Sequence, residues 1–344
     1  VWIPSGFMSQ YLYHNSDLLP RPQAAWLLTC LSESAFCSFS SLGFQGLFGL
    51  LCWLWMVPVS SASEALSLAT YNLQNYRLSP HEGFSAKSLK SCLAAQELAI
   101  ECNADVLLIQ EIGSEKALKH FQAGLSQKGL HYPHHILARL PDASIHLGLL
   151  SRLPPLRSQH HTNAFVLYGK AFRPSRGFLE VDFQVSKNRQ IKIWGIHLKS
   201  KRPDLRADSW DLRTREAGLL RSLVNQTLKE QPDQWMAVLG DFNDDPRSHT
   251  LEILRGKGRT TFLDTRPLEG GPGRPHTWSM RQGQKQVAWT HFFQKEDTQS
   301  RLDYVLVSRS LFRFYQYPKS YVLDASNWAQ ASDHRPVVAH FLLP

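Results

Sequence analysis

The sequence predicts an α/β protein of layered type, and three observations predict it. Short runs rich in Val, Ile, Leu and aromatic residues recur along the chain, as buried strands require. Stretches with apolar residues at helical spacing lie between them. No repeat, low-complexity tract or interdomain linker follows residue 64, and the roughly 280 residues there suffice for one large hydrophobic core.

Residues 1–63 stand apart. They hold one base (Arg21), two acids (Asp17, Glu33) and three of the five cysteines, Cys30, Cys37 and Cys52. "LGFQGLFGLLCWLWMVPV", 42–59, is almost wholly apolar, and the small residues of "SSASEA" follow it. That order reads as a secretory signal cut near Ser63; its length also admits a retained membrane anchor. The expectation is 1–63 as signal or anchor, 64–344 as the domain, and a secreted or periplasmic location, or an anchored one facing outward. The whole chain carries +9, and removing the leader raises this by one. A basic domain accumulates near polyanions: nucleic acid, anionic lipid or phosphorylated substrates.

In chain order, strands are expected at 66–73, 105–112, 146–152, 178–185, 191–198, 235–242, 302–308 and 335–343, each short and apolar. Helices are expected at 85–102, 114–128 and 210–230, the last capped by Asp208 or Ser209. In the first helix, Leu89, Leu93, Gln96 and Ile100 are expected to share a buried face beside Cys92. Ten residues of helix separate Cys92 from Cys102, about 15 Å, too far for a disulfide. Two buried free thiols are expected. Residues 255–300 read as loop-rich, with "EGGPGRP" at 269–275 as a breaker.

Several strands end in polar residues that the apolar pattern does not explain: Asn72, Glu111, His197, and Asp241 followed by Asn243. Asp303 and the pair Asp333–His334 add to these. Each alone reads as a turn, a cap or a solvated end. Strand ends of a layered sheet converge on one edge, where ligands bind. Two carboxylates 4 Å apart there would cost about 4 kcal/mol, and a divalent cation is the simplest compensation. Oxygen donors without cysteine favour Mg²⁺, Mn²⁺ or Ca²⁺.

"TYNLQNY", "LLIQEIG", "GIHLKSK", "VLGDFNDDP", "HTW", "SRLDYVLVS" and "SDHRPVVA" occur in that order over 70–343. The set closely resembles the endonuclease/exonuclease/phosphatase superfamily, which includes deoxyribonuclease I, exonuclease III-type nucleases, bacterial sphingomyelinases and inositol-polyphosphate phosphatases. The resemblance implies a four-layered α/β sandwich, two mixed β-sheets packed face to face with helices outside. It implies Mg²⁺-dependent hydrolysis of phosphate esters. By resemblance, Glu111 is the principal metal ligand with Asn72 beside it, and Asp333 is a second metal-site carboxylate. Asp241 orients or deprotonates the attacking water, and Asn243 donates to phosphate oxygens. His334, held by Asp303, contacts the scissile phosphate, and His197 matches a leaving-group acid. Deoxyribonuclease I partners that histidine with a glutamate; here the matching position is Gly177, with Glu180 three residues on. Arg176 is then a candidate phosphate contact, as is Lys199 on the loop after His197. Asp244 and Asp245 read as turn residues, and Trp278 as core; His276 and Thr277 stay open.

The family shares chemistry but not substrate. Lys199, Lys201, Arg202, Arg206, Arg213, Arg215 and Arg221 form a basic stretch in which Arg213 or Arg215 could reach a phosphate, or which is a solvated face. Trp210, Trp289, Phe292, Phe293 and Trp328 are candidates to stack on bases or simply to pack. The leading expectation is an extracytoplasmic, monomeric endonuclease acting on nucleic acid. The alternatives are a phosphodiesterase or phosphatase acting on phospholipid or a small phosphorylated molecule, with "VAWTHFF" at 287–293 as the membrane-contact candidate, and an inactive scaffold. P-loop, HExxH and GxSxG motifs are absent. His131, His134, His135, His160 and His161 form either a zinc patch or, without a completing carboxylate or cysteine, surface histidines.

Overall fold

The computed structural model describes residues 64–141, 143–273 and 288–344. The apolar segment 42–59 and His276, Thr277 and Trp278 lie outside them. In chain order the elements are β1 (Glu64–Tyr76), α1 (Leu89–Cys102), β2 (Val106–Ile112), α2 (Glu115–Gln127), β3 (His134–Ala138), β4 (His146–Ser151), β5 (Pro155–His161), β6 (Phe165–Leu167) and β7 (Lys170–Phe172). There follow β8 (Phe178–Ser186), β9 (Arg189–His197), α3 (Ser209–Glu230), β10 (Trp235–Asp241), α4 (His249–Arg255), β11 (Phe262–Asp264) and β12 (Leu268–Gly270). The last are β13 (His291–Phe293), β14 (Thr298–Ser300), β15 (Asp303–Ser308), α5 (Arg309–Phe312), β16 (Tyr321–Leu323), α6 (Trp328–Ala331) and β17 (Val337–Leu343).

Two mixed sheets form the centre. One runs β12-β16-β17-β1-β2-β4-β3, the other β11-β15-β10-β9-β8-β5. Alternation along the strands sorts the side chains into layers. Leu66, Leu68, Val106 and Leu108 of the first sheet meet Val181, Ile193, Leu239 and Val305 of the second in a core between the sheets. Tyr71, Leu107 and Ile109 turn outward and pack under α1 and α2. Trp194, Ile196, Val238 and Leu306 turn outward on the second sheet and pack under α3 and α4. The result is the expected four-layered α/β sandwich. A Cβ on Gly195 would collide with Leu108, so glycine there permits close approach of the two sheets.

The three expected helices form within a few residues of their forecast ends, capped by Ser88, Ser114 and Asp208. The forecast face of α1 is corrected. Its inward residues are Cys92, Ala95, Gln96, Ala99 and Cys102, while Leu89 and Leu93 are exposed. Small side chains let the helix lie close on the sheet, and the leucines fall outside that contact. Cys92 and Cys102 are free and buried. Among the described residues no helix is long and apolar enough to cross a membrane.

Candidate active site

The same alternation that fills the core also builds the site. Leu68, Leu239, Ile193 and Val305 point between the sheets. Two-residue steps from these carry Thr70 and then Asn72, Asp241, Gly195 and then His197, and Asp303 to the same side. These positions lie at one end of both sheets. Asp241 pairs directly with His197 on one side and Asp303 on the other. The cluster thus closes one open end of the inter-sheet core. This answers why "VLGDFNDDP" turns from apolar to acidic: the strand runs out of core where polar partners begin.

Asp241 is the hub, almost wholly buried. Its Oδ2 accepts from Asn72 Nδ2 at 3.1 Å and lies 3.5 Å from His197 Nε2 and 3.8 Å from His334 Nε2. Its Oδ1 accepts from the Asn243 backbone N–H at 2.8 Å. Burial pushes its pKa up to about 7; the charge of His334 opposes this, and Asp303 and Glu111 add to it.

Glu111 reaches the site through an irregularity. Leu107 and Ile109 face the helices, and strict alternation would send Glu111 there too. Instead Glu111 has φ of 64° at a register shift between β1 and β2, as a bulge re-aims a side chain. Its carboxylate accepts from Asn75 N at 2.8 Å and Asn72 Nδ2 at 3.4 Å. Asn243 also sits at positive φ, 52°; asparagine tolerates that conformation better than most residues.

His334 and Asp303 make the bond expected of them, Nδ1 to Oδ2 at 2.8 Å, in full burial. Ser332 fixes the turn that presents the histidine, donating to the Asn72 carbonyl at 2.7 Å and accepting from His334 N at 3.1 Å. Thr290 Oγ1 accepts from the backbone N–H groups of Leu302 and Asp303. Burial works against charge on His334. Asp303, Asp241 and Asp333 overcome it and hold the imidazole well above the usual histidine range. His197 is the opposite case: burial, with Arg176 and His334 nearby, holds it well below. Among the described residues its buried Nδ1 has no hydrogen-bond partner. Gly177, at φ 69°, has no room for a side chain, since a Cβ would collide with the His160 ring. Glu180 is no substitute, being bonded to His161 and Lys192. His160 and His161 are therefore not solvated surface histidines: one bonds the Arg176 carbonyl, the other Glu180.

Several forecasts shift. Asn243 turns its amide inward, to the Leu198 carbonyl at 3.0 Å and Asp241 Oδ2 at 3.3 Å; as placed, it braces Asp241 rather than reaching out to a phosphate. Arg213 is a buried strut, not a phosphate contact: its Nε donates to Asp244 Oδ2 at 3.1 Å, and Nη1 to the Lys199 carbonyl. Asp244 is correspondingly more than a turn residue, also accepting from Thr250 Oγ1 at 2.7 Å. Arg221 is buried against Leu254 and Thr260. Lys199 sends its ammonium to the Arg202 carbonyl, and Arg176 its guanidinium to the Leu198 carbonyl. Sequence reasoning missed Glu216 on α3, whose Oε1 accepts from Ser175 N and Oγ and whose Oε2 accepts from Lys199 N, each at 2.7 Å. It ties together the two loops that carry Arg176 and Lys199. Only its helical register, one face with Arg213 and Ala217, hints at burial.

The donor set fits a hard divalent cation. Glu111 and Asp241 converge on one amide group of Asn72, and burial forces Asp241 toward protonation, so the cluster is short of positive charge. Asp333 stands to one side, its carboxylate 4.0 Å from His334 Nε2 and 4.0 Å from His291 Nε2.

Two face-to-face mixed sheets, helices outside and an acid–histidine cluster at one end of the seam define a class of α/β sandwich. The chain belongs to the Endonuclease/Exonuclease/phosphatase family, whose model matches residues 69–334. Members of that family are hydrolases of phosphate esters, usually dependent on a divalent metal. Comparison with curated proteins gives no match. Among solved structures the chain resembles truncated TDP2 of Caenorhabditis elegans (TM-score 0.53, 14% identity, covering 81% of this chain and 97% of that one). It also resembles sphingomyelinase C of Streptomyces griseocarneus (TM-score 0.52, 16% identity, covering 80% and 99%). A beta toxin variant of Staphylococcus aureus, solved with bound magnesium ions, matches with TM-score 0.52 and 15% identity over 80% of this chain and 99% of that one.

Proposed function

We propose that the protein is a Mg²⁺-dependent phosphodiesterase that acts outside the cytoplasm, as a monomer, on nucleic acid. The observation that carries this reading is Asp241: a buried carboxylate with four side chains, Asn72, Asn243, His197 and His334, directed at one oxygen, and with its pKa raised by burial. A base whose pKa lies near working pH takes a proton most effectively. Asp241 accepts the proton of the attacking water. His334, kept charged by Asp303, offsets the negative charge that builds on phosphorus. His197, held neutral by burial, lies with Nε2 3.5 Å from Asp241 Oδ2 and would serve the leaving group, without the glutamate partner at Nδ1 that deoxyribonuclease I supplies. Asn72 and Glu111 would hold the cation and Asp333 would serve a second position. When bound, the cation supplies Lewis acidity and neutralises phosphate charge. Arg176 and Lys199, on loops braced by Glu216, flank the phosphate path.

The basic charge of the domain supports a polyanionic substrate. A second reading, a phospholipid headgroup, is favoured by β13–β14, whose Phe293 is exposed, and by the likeness to a sphingomyelinase. A substrate panel with Mg²⁺, Mn²⁺ and Ca²⁺ separates them: duplex and single-stranded DNA, RNA, sphingomyelin and inositol phosphates. Cleavage of DNA or RNA, falling steeply with salt, is expected. Turnover of sphingomyelin alone selects the second reading, and no turnover of any member or of a bis-aryl phosphodiester selects an inactive scaffold.

A further inference from the structure

His291 belongs to none of the family-like motifs, yet it lies against the site. An isolated bridge pairs it with His334, and Phe292 N donates to the Asp333 carbonyl at 2.9 Å. The backbone pairing sets the two residues side by side, and their ring centroids are 4.6 Å apart. One ring nitrogen each from His291 and His334 and an Asp333 carboxylate oxygen lie within 4.8 Å of one another, and the Nε2 atoms of the two histidines are each 4.0 Å from an Asp333 oxygen. We infer that His291, Asp333 and His334 form a site for a borderline transition ion, zinc above all, whose occupancy takes up a ring nitrogen of His334.

Two imidazoles and a carboxylate with an open fourth position are a zinc donor set, not a magnesium one. Tetrahedral zinc holds such donors roughly 3.4 Å apart, so small side-chain rotations close the site. The outer nitrogens are already oriented as zinc-bound histidines require: His334 Nδ1 against Asp303 at 2.8 Å, His291 Nδ1 toward Ser300 Oγ at 3.5 Å. Asn72 and Glu111 take no part; Asp333 is shared with the second cation position, so zinc there competes with a second hard ion but not with the one at Glu111. Zinc would occupy the His334 nitrogen that lies 3.8 Å from Asp241 Oδ2 and keep it from contact with a substrate phosphate. Zinc binding stands without the hydrolase reading; inhibition rests on it.

The test uses the full chain stripped with chelator, titrated with zinc chloride alone against a chromophoric competitor. Zinc affinity should fall at least tenfold in His291→Gln and in His291→Ala, with folding checked by circular dichroism. Unchanged zinc affinity in a folded variant overturns the site. Cobalt(II) added to the wild type reports independently of any variant: a four- or five-coordinate visible spectrum supports the site, and an octahedral one overturns it. In Mg²⁺-dependent cleavage of bis-p-nitrophenyl phosphate, zinc should inhibit the wild type at least tenfold more potently than His291→Gln. Equal inhibition overturns control through His334. His291-dependent zinc binding by a protein with no phosphodiesterase activity supports the site while removing the hydrolase reading.

Discussion

Glu216 is the sharpest place to test how the site is braced. Its buried carboxylate accepts three bonds of 2.7 Å, two from backbone N–H groups and one from the Ser175 hydroxyl. Burial raises its pKa, while those bonds and Arg176 pull the other way. Hydrogen bonds to a charged group contribute about 1.5–3 kcal/mol each, and removing a buried charge returns part of that sum. Glu216→Ala should therefore cost about 3–5 kcal/mol. Glu216→Gln keeps an oxygen for Ser175 but turns a donor toward Lys199 N, leaving one unpaired N–H at about 1–3 kcal/mol. Urea unfolding measures both. Steady-state kinetics on a phosphodiester should show Glu216→Gln raising KM more than it lowers kcat, because the loops of Arg176 and Lys199 loosen while Asp241 and His334 do not. A Gln variant with wild-type stability and wild-type KM would refute the bracing argument.

Glu111→Gln should cut metal-dependent turnover by orders of magnitude with little change in folding; activity retained at saturating Mg²⁺ would remove Glu111 from the cation position. Asp303→Asn takes away the largest contribution raising His334, so the alkaline limb of the kcat/KM profile should move to lower pH, as a profile measured over pH 5–10 would reveal. Glu180 gives an acid-stability prediction. Burial alone would raise it, but His161 and Lys192 hold it down at about 2 against an ordinary 4.5. A depressed carboxylate contributes stability that is complete above pH 4.5 and is lost as pH falls toward 2, here about 3 kcal/mol. Glu180→Gln should flatten that part of the pH–stability curve, read by thermal melts at pH 2 to 6.

The strands were legible where both neighbours are buried, as with "VLLIQEI" and "WMAVLGD". β5 was not, because "PLRSQHH" is a mostly exposed edge strand with no apolar alternation to read. β3 and α4 were missed for want of length. The polar strand ends Asn72, Glu111, His197, Asp241 and Asp303 were legible because each breaks an apolar run. Their meeting was not derivable from any one run, and Glu111 depends on a bulge that no pattern announces. His291 and Thr290 carry no local signal, and Arg213 and Glu216 only a helical register that hints at burial. Arg213 looked like a ligand for phosphate because a sequence shows charge but not the Asp244 that consumes it.

The bonds from Asn72 to Asp241 and from His334 to Asp303 join the two sheets at the open end of a core made of interdigitated hydrocarbon. Apolar surfaces tolerate a slip of an ångström at modest cost; hydrogen bonds of about 3 Å between facing side chains do not. Mild urea, pressure or a cavity-forming change deep in the middle layer should therefore extinguish turnover well before circular dichroism registers any loss of structure, making activity a more sensitive gauge of sheet alignment than melting.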